Sequence, residues 1–427
     1  MNRKFRLITA SALCVLFSVM PALFASVSAL TVTTSVNLSN NTSNASYPNV
    51  QNVGNNVYVA WSQGSQGIWF RMSSNGGSSF GTAIRISSSG GTTQFPLIVA
   101  LGADVYVTWA QTLSGVLQIY FAASTTSGAS FGTAKVVDNT PTVGDITPVL
   151  AAAGNDVYVA YDCNGSSCVV SSTNNGGTFG TPFKFATGPE PQLAASGTDA
   201  YAVADSFSRT AMPVAVTQNN GVSWKILKIS GGSGSEPWIS ASGSNVLVAW
   251  ETKGTTSIVG YATSTNSGTS FSSAATLSKT TPDAWAPMTG ISGNTEYIAY
   301  RTNPGSSASQ EYAAVSTNSG KTFSTPVAIG IAGHDNSWPV TIPTSGSTAF
   351  VAWYVRTGSS SSSPWEAVAV ETTNSGSSWS SPVVLGSSLG ESDVATQAIS
   401  ANGGTLFAVW TNTVSGGNDQ VFFTTGS

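Results

Sequence analysis

The sequence predicts an all-β chain folded as an eight-bladed β-propeller, with four antiparallel strands in each blade. Three observations predict it. An eight-residue phrase, Ser/Thr-x-Asn-x-Gly-x-Ser/Thr-Phe/Trp, returns seven times, first at residues 73–80 and last at 372–379. A short aromatic and β-branched run, typified by Val57-Tyr58-Val59-Ala60-Trp61, occurs eight times at intervals of roughly 50 residues. No helical periodicity appears after residue 29, and the two chain ends are complementary fragments of one blade.

The first element is set apart from the fold. Arg3, Lys4 and Arg6 precede an apolar stretch over 7–25, and Val27-Ser28-Ala29 supplies small residues at a cleavage position. Residues 1–29 therefore read as a secretory signal peptide, with an uncleaved anchor as the alternative because the apolar run approaches a bilayer-spanning length. Residues 30–427 read as one domain. Its second unit parses in full, with strands expected over 95–101, 104–110, 117–123 and 134–137. The blades are expected at roughly 47–88, 94–138, 146–187, 190–230, 236–279, 284–330, 336–386 and 391–427. The eighth lacks an outer strand, and residues 31–39 offer one. Pairing them closes the ring and removes a free sheet edge.

Composition narrows the partners. Only 8% of the chain is charged, against about 25% for an average domain. Three of the 15 Lys+Arg and none of the 19 Asp+Glu lie in the leader, so the remainder is more acidic than the formal −4. Nucleic acid is disfavoured as a partner, because phosphate neutralisation needs a basic patch. No second apolar stretch implies membrane contact once the leader is removed. Cys163 and Cys168, with four residues between them in an exported chain, read as a disulfide closing a hairpin loop. Asn37, Asn40, Asn41, Asn44 and Asn164 are sequons.

The repeated phrase resembles the Asp-box, or BNR repeat, of sialidase-like propellers, with Asn in place of Asp in six copies and Thr126 in the second. Its local physics is an Asx side chain bonding amides two residues on, with Gly supplying φ > 0. The resemblance implies a box between the third and fourth strands, on the face away from any active site. It also implies three arginines on a sugar carboxylate, a Tyr nucleophile activated by Glu, and an Asp acid/base. The chain departs from that pattern. Phe70-Arg71-Met72 does not match the family's Arg-Ile-Pro, no Tyr–Glu pair stands out, and sialidases generally have six blades. Arg209, Arg301 and Arg356 are the catalytic candidates that remain.

The scarce charges gather in segments before the first strands and after the second ones, which a propeller places at one mouth of its channel. From these the ligand-binding candidates are Glu236, Trp238, Asp283, Trp285, Arg301, His334, Asp335, Trp338 and Arg356. Tryptophans would stack on sugar rings while carboxylates and His334 bond hydroxyls. Asp283, Asp335 and Asp393 are oxygen donors suited to a structural calcium ion, the one cofactor considered. The competing explanation is repeat consensus, with Pro fixing φ at strand starts and carboxylates capping loop amides. The expected function is a secreted or cell-surface monomer that binds extracellular glycans or other surface ligands without catalysis. An exo-α-sialidase-like hydrolase and a structural cell-envelope protein are the alternatives.

Overall fold

Each second strand carries a largely apolar run, and the fold explains why. In Asn56–Ser62 every residue but the first is buried, because a propeller sheet is covered on both faces by neighbouring sheets. A computed structural model describes residues 30–427 apart from 41–42, 89, 139–146, 207–210, 253, 279–282, 304–308, 338, 340, 359–362, 390–397 and 415–416. The proposed signal peptide lies outside the described residues. The strands form eight four-stranded antiparallel sheets, giving an eight-bladed β-propeller. Blade one runs Ser46–Val53, Asn56–Ser62, Ile68–Ser73 and Ile84–Arg85 from channel to rim.

The ring closes through its ends. Val36–Asn37 is the outer strand of blade eight and pairs with Phe423 and Phe422. Leu38 N donates to Val421 O at 2.7 Å, Thr33 N to Thr425 O at 2.8 Å, and Thr31 N to Ser427 O at 2.8 Å. Residues from both termini thus share one sheet.

Eight apolar clusters hold the blades together, one at each junction. The repeated phrase wedges into seven of them. In the first copy Asn75 Oδ1 accepts from Ser79 N at 3.0 Å, and Ser73 Oγ accepts from Gly77 N at 2.9 Å. The Asn therefore reaches four residues on, not the expected two, because the turn holds two consecutive left-handed residues, Gly76 (φ 68°) and Gly77 (φ 84°). A Cβ at Gly77 would collide with Phe423, and one at Gly128 would meet Phe70 at 2.7 Å. Those rings belong to the preceding blade. The closing aromatic points the same way, with Phe80 edge-on to Phe423 at 4.8 Å and Phe131 to Phe70 at 4.8 Å. Phe179 to Phe121, Trp224 to Tyr158, Phe323 to Tyr261 and Trp379 to Tyr297 continue the series. No such phrase serves the junction of blades seven and eight. There Leu30, 4% exposed, packs with Phe350 and Leu406.

Two local departures have physical causes. The inner strand of blade seven shrinks to Thr344–Ser345, since Pro339 and Pro343 lack the N–H groups a longer strand would donate. Asn336 keeps an isolated bridge to Val355. Cys163 and Cys168 form a disulfide with Cα atoms 5.8 Å apart, across the hairpin where Cys163 N donates to Ser166 O at 2.7 Å.

Glu296 stands where blade one has Val57, and it is 0% exposed. Neither carboxyl oxygen has a hydrogen-bond partner, and burial pushes its pKa up to about 8. The folded state therefore holds this proton more tightly than the unfolded chain, so stability is full at acid pH and is lost as pH rises through about 8. Thermal unfolding of Glu296→Gln against the parent should show little difference at pH 5 and a clear stabilisation of the variant at pH 9; parallel pH profiles would contradict this. Asn266→Ala removes the acceptor for Ser270 N and should cost about 1 kcal/mol in urea unfolding, with Asn266→Asp close to neutral.

Candidate functional site

Antiparallel strand order divides the loops between two faces. Turns between strands one and two share a face with the repeated phrases, and seven bonds of 2.8–3.0 Å, such as Gly76 N to Asn55 O and Ser319 N to Asn294 O, tie each phrase to that turn. The loops from strand two to three, and from each outer strand to the next inner one, lie on the opposite face. That face is the mouth.

Mouth geometry is set by a kink the sequence did not announce. Tyr47, Phe95, Glu190, Glu236 and Ala286 each precede a proline and each has φ between 48° and 58°. In blades one, two, five and six the inner-strand register skips there, as between Ser235 and Trp238 or between Trp285 and Met288. These are β-bulges, which re-aim side chains beside functional sites. They bring Tyr47 and Phe95 together, ring centroids 4.4 Å apart.

Between blades five and six the bulges open a cavity of about 490 Å³. Glu236, Glu251, Asp283 and Trp285 line it, with Ser235, Ser257 and a Gly254-Thr255 turn. Asp283 Oδ1 accepts from Ser257 N at 3.0 Å, and Glu251 accepts from Ser257 Oγ at 2.9 Å. Glu236 N donates to Asp205 Oδ1 at 2.9 Å. Asp162 likewise accepts from Gly165 N at 2.9 Å. Asp162, Asp205 and Asp283 thus do the amide capping that repeat consensus demands, while Glu236, Glu251, Asp283 and Trp285 also present a shared surface.

A second cluster sits at the junction of blades six and seven. Arg301 is paired in register with both Trp285 and Glu311. Its Nη2 lies 2.7 Å from Asp335 Oδ1, and Arg356 Nε lies 3.8 Å from Asp335 Oδ2. Ser309 Oγ donates to Asp335 Oδ1 at 2.9 Å. Asn336 anchors the loop, donating to Ser309 O at 2.7 Å and accepting from Trp353 Nε1 at 2.9 Å. His334 Nδ1 is 2.9 Å from Arg356 O, a contact that requires the proton on Nδ1. The Arg356 guanidinium lies 4.5 Å above the Trp365 ring. Glu311 is 0% exposed with no hydrogen-bond partner on either oxygen. Burial raises its pKa well above the carboxylate range, against the opposing pull of Arg301.

The candidates divide accordingly. Glu236, Asp283 and Trp285 share the cavity, while Arg301, His334, Asp335 and Arg356 form the adjacent cluster. Trp238 lies past its bulge, paired with Ala249, and does not line the cavity. Arg209, Trp338 and Asp393 lie outside the described residues. Among the described residues no group of three His, Cys, Asp or Glu side chains is arranged to hold a metal ion. Asp335 in particular faces guanidinium groups. Ser309 and Glu311 escaped sequence reasoning because they sit at the start of a third strand. The available signal was a lone acid ahead of Tyr312-Ala313-Ala314-Val315.

No family model matches the chain, and no curated protein matches it. Among solved structures it is similar to the Hadza microbial sialidase Hz136, at 12% identity over 61% of this chain and 63% of that one, with TM-score 0.40. It thus spans less than two thirds of that sialidase. It is also similar to a protein of unknown function from Dyadobacter fermentans DSM 18053, at 12% identity over 94% and 100% of the chains and TM-score 0.49. A third is a PL25 ulvan lyase bound to -[GlcA(1-4)Rha3S]-, at 11% identity over 91% and 95% and TM-score 0.49. Likenesses at this level speak to neither site nor chemistry.

Removing Asp335 would leave two guanidinium groups without their shared carboxylate. Asp335→Ala should destabilise the fold by about 3–5 kcal/mol, read from urea unfolding. A loss under 1 kcal/mol would show that Asp335 is dispensable to the cluster.

Proposed function

We propose that this chain is a secreted or cell-surface binding propeller that holds a hydroxyl-rich glycan at its mouth without catalysis. The observation that carries the reading is the cavity between blades five and six, where Trp285 stands beside Glu236, Glu251 and Asp283. Carboxylates accept hydrogen bonds from sugar hydroxyls, and an indole offers a flat face to the C–H surface of a pyranose. The volume of about 490 Å³ suits one or two sugar units among pockets of ~300–1,000 Å³.

Sialidase chemistry fits less well. Its arginines must bind the substrate's carboxylate, and here Arg301 and Arg356 both face Asp335. A glycoside hydrolase of another type is the second reading, favoured by three carboxylates in one cavity, since most glycosidases work with a pair.

Glycan-array screening followed by calorimetry tests the binding reading. Trp285→Ala should weaken the bound glycan at least tenfold, about 1.4 kcal/mol, with the unfolding curve of the parent retained. Unchanged affinity would remove the cavity from consideration. Reducing-end release that disappears in Glu251→Gln would replace the binding reading with the hydrolase.

A further inference from the structure

We propose that the outer cleft between blades five and six is a second ligand site, separate from the mouth, that takes an uncharged saccharide unit. The run that forms each second strand ends in Trp61, Trp109, Trp250, Trp353 and Trp410 in five blades, in Tyr161 and Tyr300 in blades three and six, and in no aromatic in blade four. Among the described residues, seven junction clusters contain eleven or twelve buried apolar residues, and the one between blades five and six contains six. Glu296 occupies a further apolar position there. Beside this thinner core the two sheets leave space at the rim.

That space is a cavity of about 450 Å³ at the rim, lined by Tyr261, Tyr300, Tyr312 and Phe323 together with hydroxyl side chains such as Thr302 and Thr325. The aromatics form two ordered pairs. Tyr300 stacks on Tyr312 with centroids 5.7 Å apart, and Tyr261 meets Phe323 edge-on at 4.8 Å. Among the described residues, no Asp, Glu, Lys or Arg lines the cleft. Burial holds the phenols of Tyr261 and Tyr300 above their ordinary range, so both remain neutral hydrogen-bond donors.

These features select the occupant. A charged ligand would find no counter-charge, and desolvating it would go uncompensated. A purely apolar ligand would strand the threonine and serine hydroxyls. A sugar ring satisfies both, with C–H groups against tyrosine faces and hydroxyls toward the rim. The mouth differs in kind, because acids line it.

The test uses the full chain and neutral oligosaccharides, namely cellohexaose, xylohexaose and mannohexaose, measured by calorimetry. Thr325 is exposed, so Thr325→Arg blocks the cleft without disturbing the core, and Tyr312→Ala removes a stacking face. Each should weaken the bound hexasaccharide at least tenfold, while Trp285→Ala leaves that binding in place. Failure of all three probes to bind, or equal binding by Thr325→Arg and parent, overturns the proposal. If Trp285→Ala alone abolishes binding, the rim site falls and the mouth reading stands. If only the rim variants matter, the rim site stands, and the mouth reading is decided by the glycan screen with Trp285→Ala described above.

Discussion

Everything in this molecule depends on filling the wedge between adjacent sheets. A propeller blade is buried on both faces, so each junction must supply apolar volume that neither sheet can provide alone. The repeated phrase solves this at seven junctions. Its glycine brings backbone against the preceding blade, as at Gly77 beneath Phe423 or Gly128 beneath Phe70. Its aromatic then enters the gap edge-on. Leu30 contributes apolar volume at the eighth. Burial at about 25 cal/mol per Å² of apolar surface makes each such ring worth a few kcal/mol, and the closed circle lets no junction open independently.

Among the described residues, blades five and six meet through the thinnest apolar core, while the twelve-residue junction of blades seven and eight carries a cavity of about 460 Å³ of its own. The mouth cavity and the rim cleft both lie at the junction of blades five and six. Glu296 is buried there without a hydrogen-bond partner, a cost that Glu311 also carries beside the junction of blades six and seven. Stability and binding are thus divided by geometry. The phrases secure one face, and the bulged strand starts shape the other.

Much of this was legible in the sequence, for reasons specific to repeats. One parsed unit gave strands over 95–101, 104–110 and 117–123, against Thr92–Leu101, Asp104–Leu113 and Val116–Ser124 in the structure. The outer strand, expected over 134–137, is only Lys135–Val136, since a rim strand has a single neighbour to define its length. The site was half legible. Glu236, Asp283 and Trp285 stood out because charge is scarce. Their meeting depends on bulges, and nothing in a Glu-Pro or Ala-Pro dipeptide discloses a left-handed residue before proline. The partner of the arginine cluster was not legible in the sequence. Arg301 and Arg356 looked available to a ligand, but Asp335 comes from a loop more than thirty residues beyond Arg301 in sequence. Only the three-dimensional return of that loop pairs them.

That pairing bears on what the mouth admits. A sugar carboxylate seeking Arg301 must displace a 2.7 Å ion pair whose partner also accepts from Ser309. Breaking a buried pair costs about 3–5 kcal/mol, and the displaced Asp335 would remain in the same loop as a competing anion. The neighbouring cavity adds Glu236, Glu251 and Asp283, whose field opposes an incoming anion further. A neutral pyranose, the ligand class proposed above, would meet neither obstacle, since it would leave the arginine pair intact and use the carboxylates as hydrogen-bond acceptors. On that proposal, neutral hydroxyl-rich sugars would be preferred to acidic ones, while the contacts of Arg301 and Arg356 with Asp335 hold the loop that carries it.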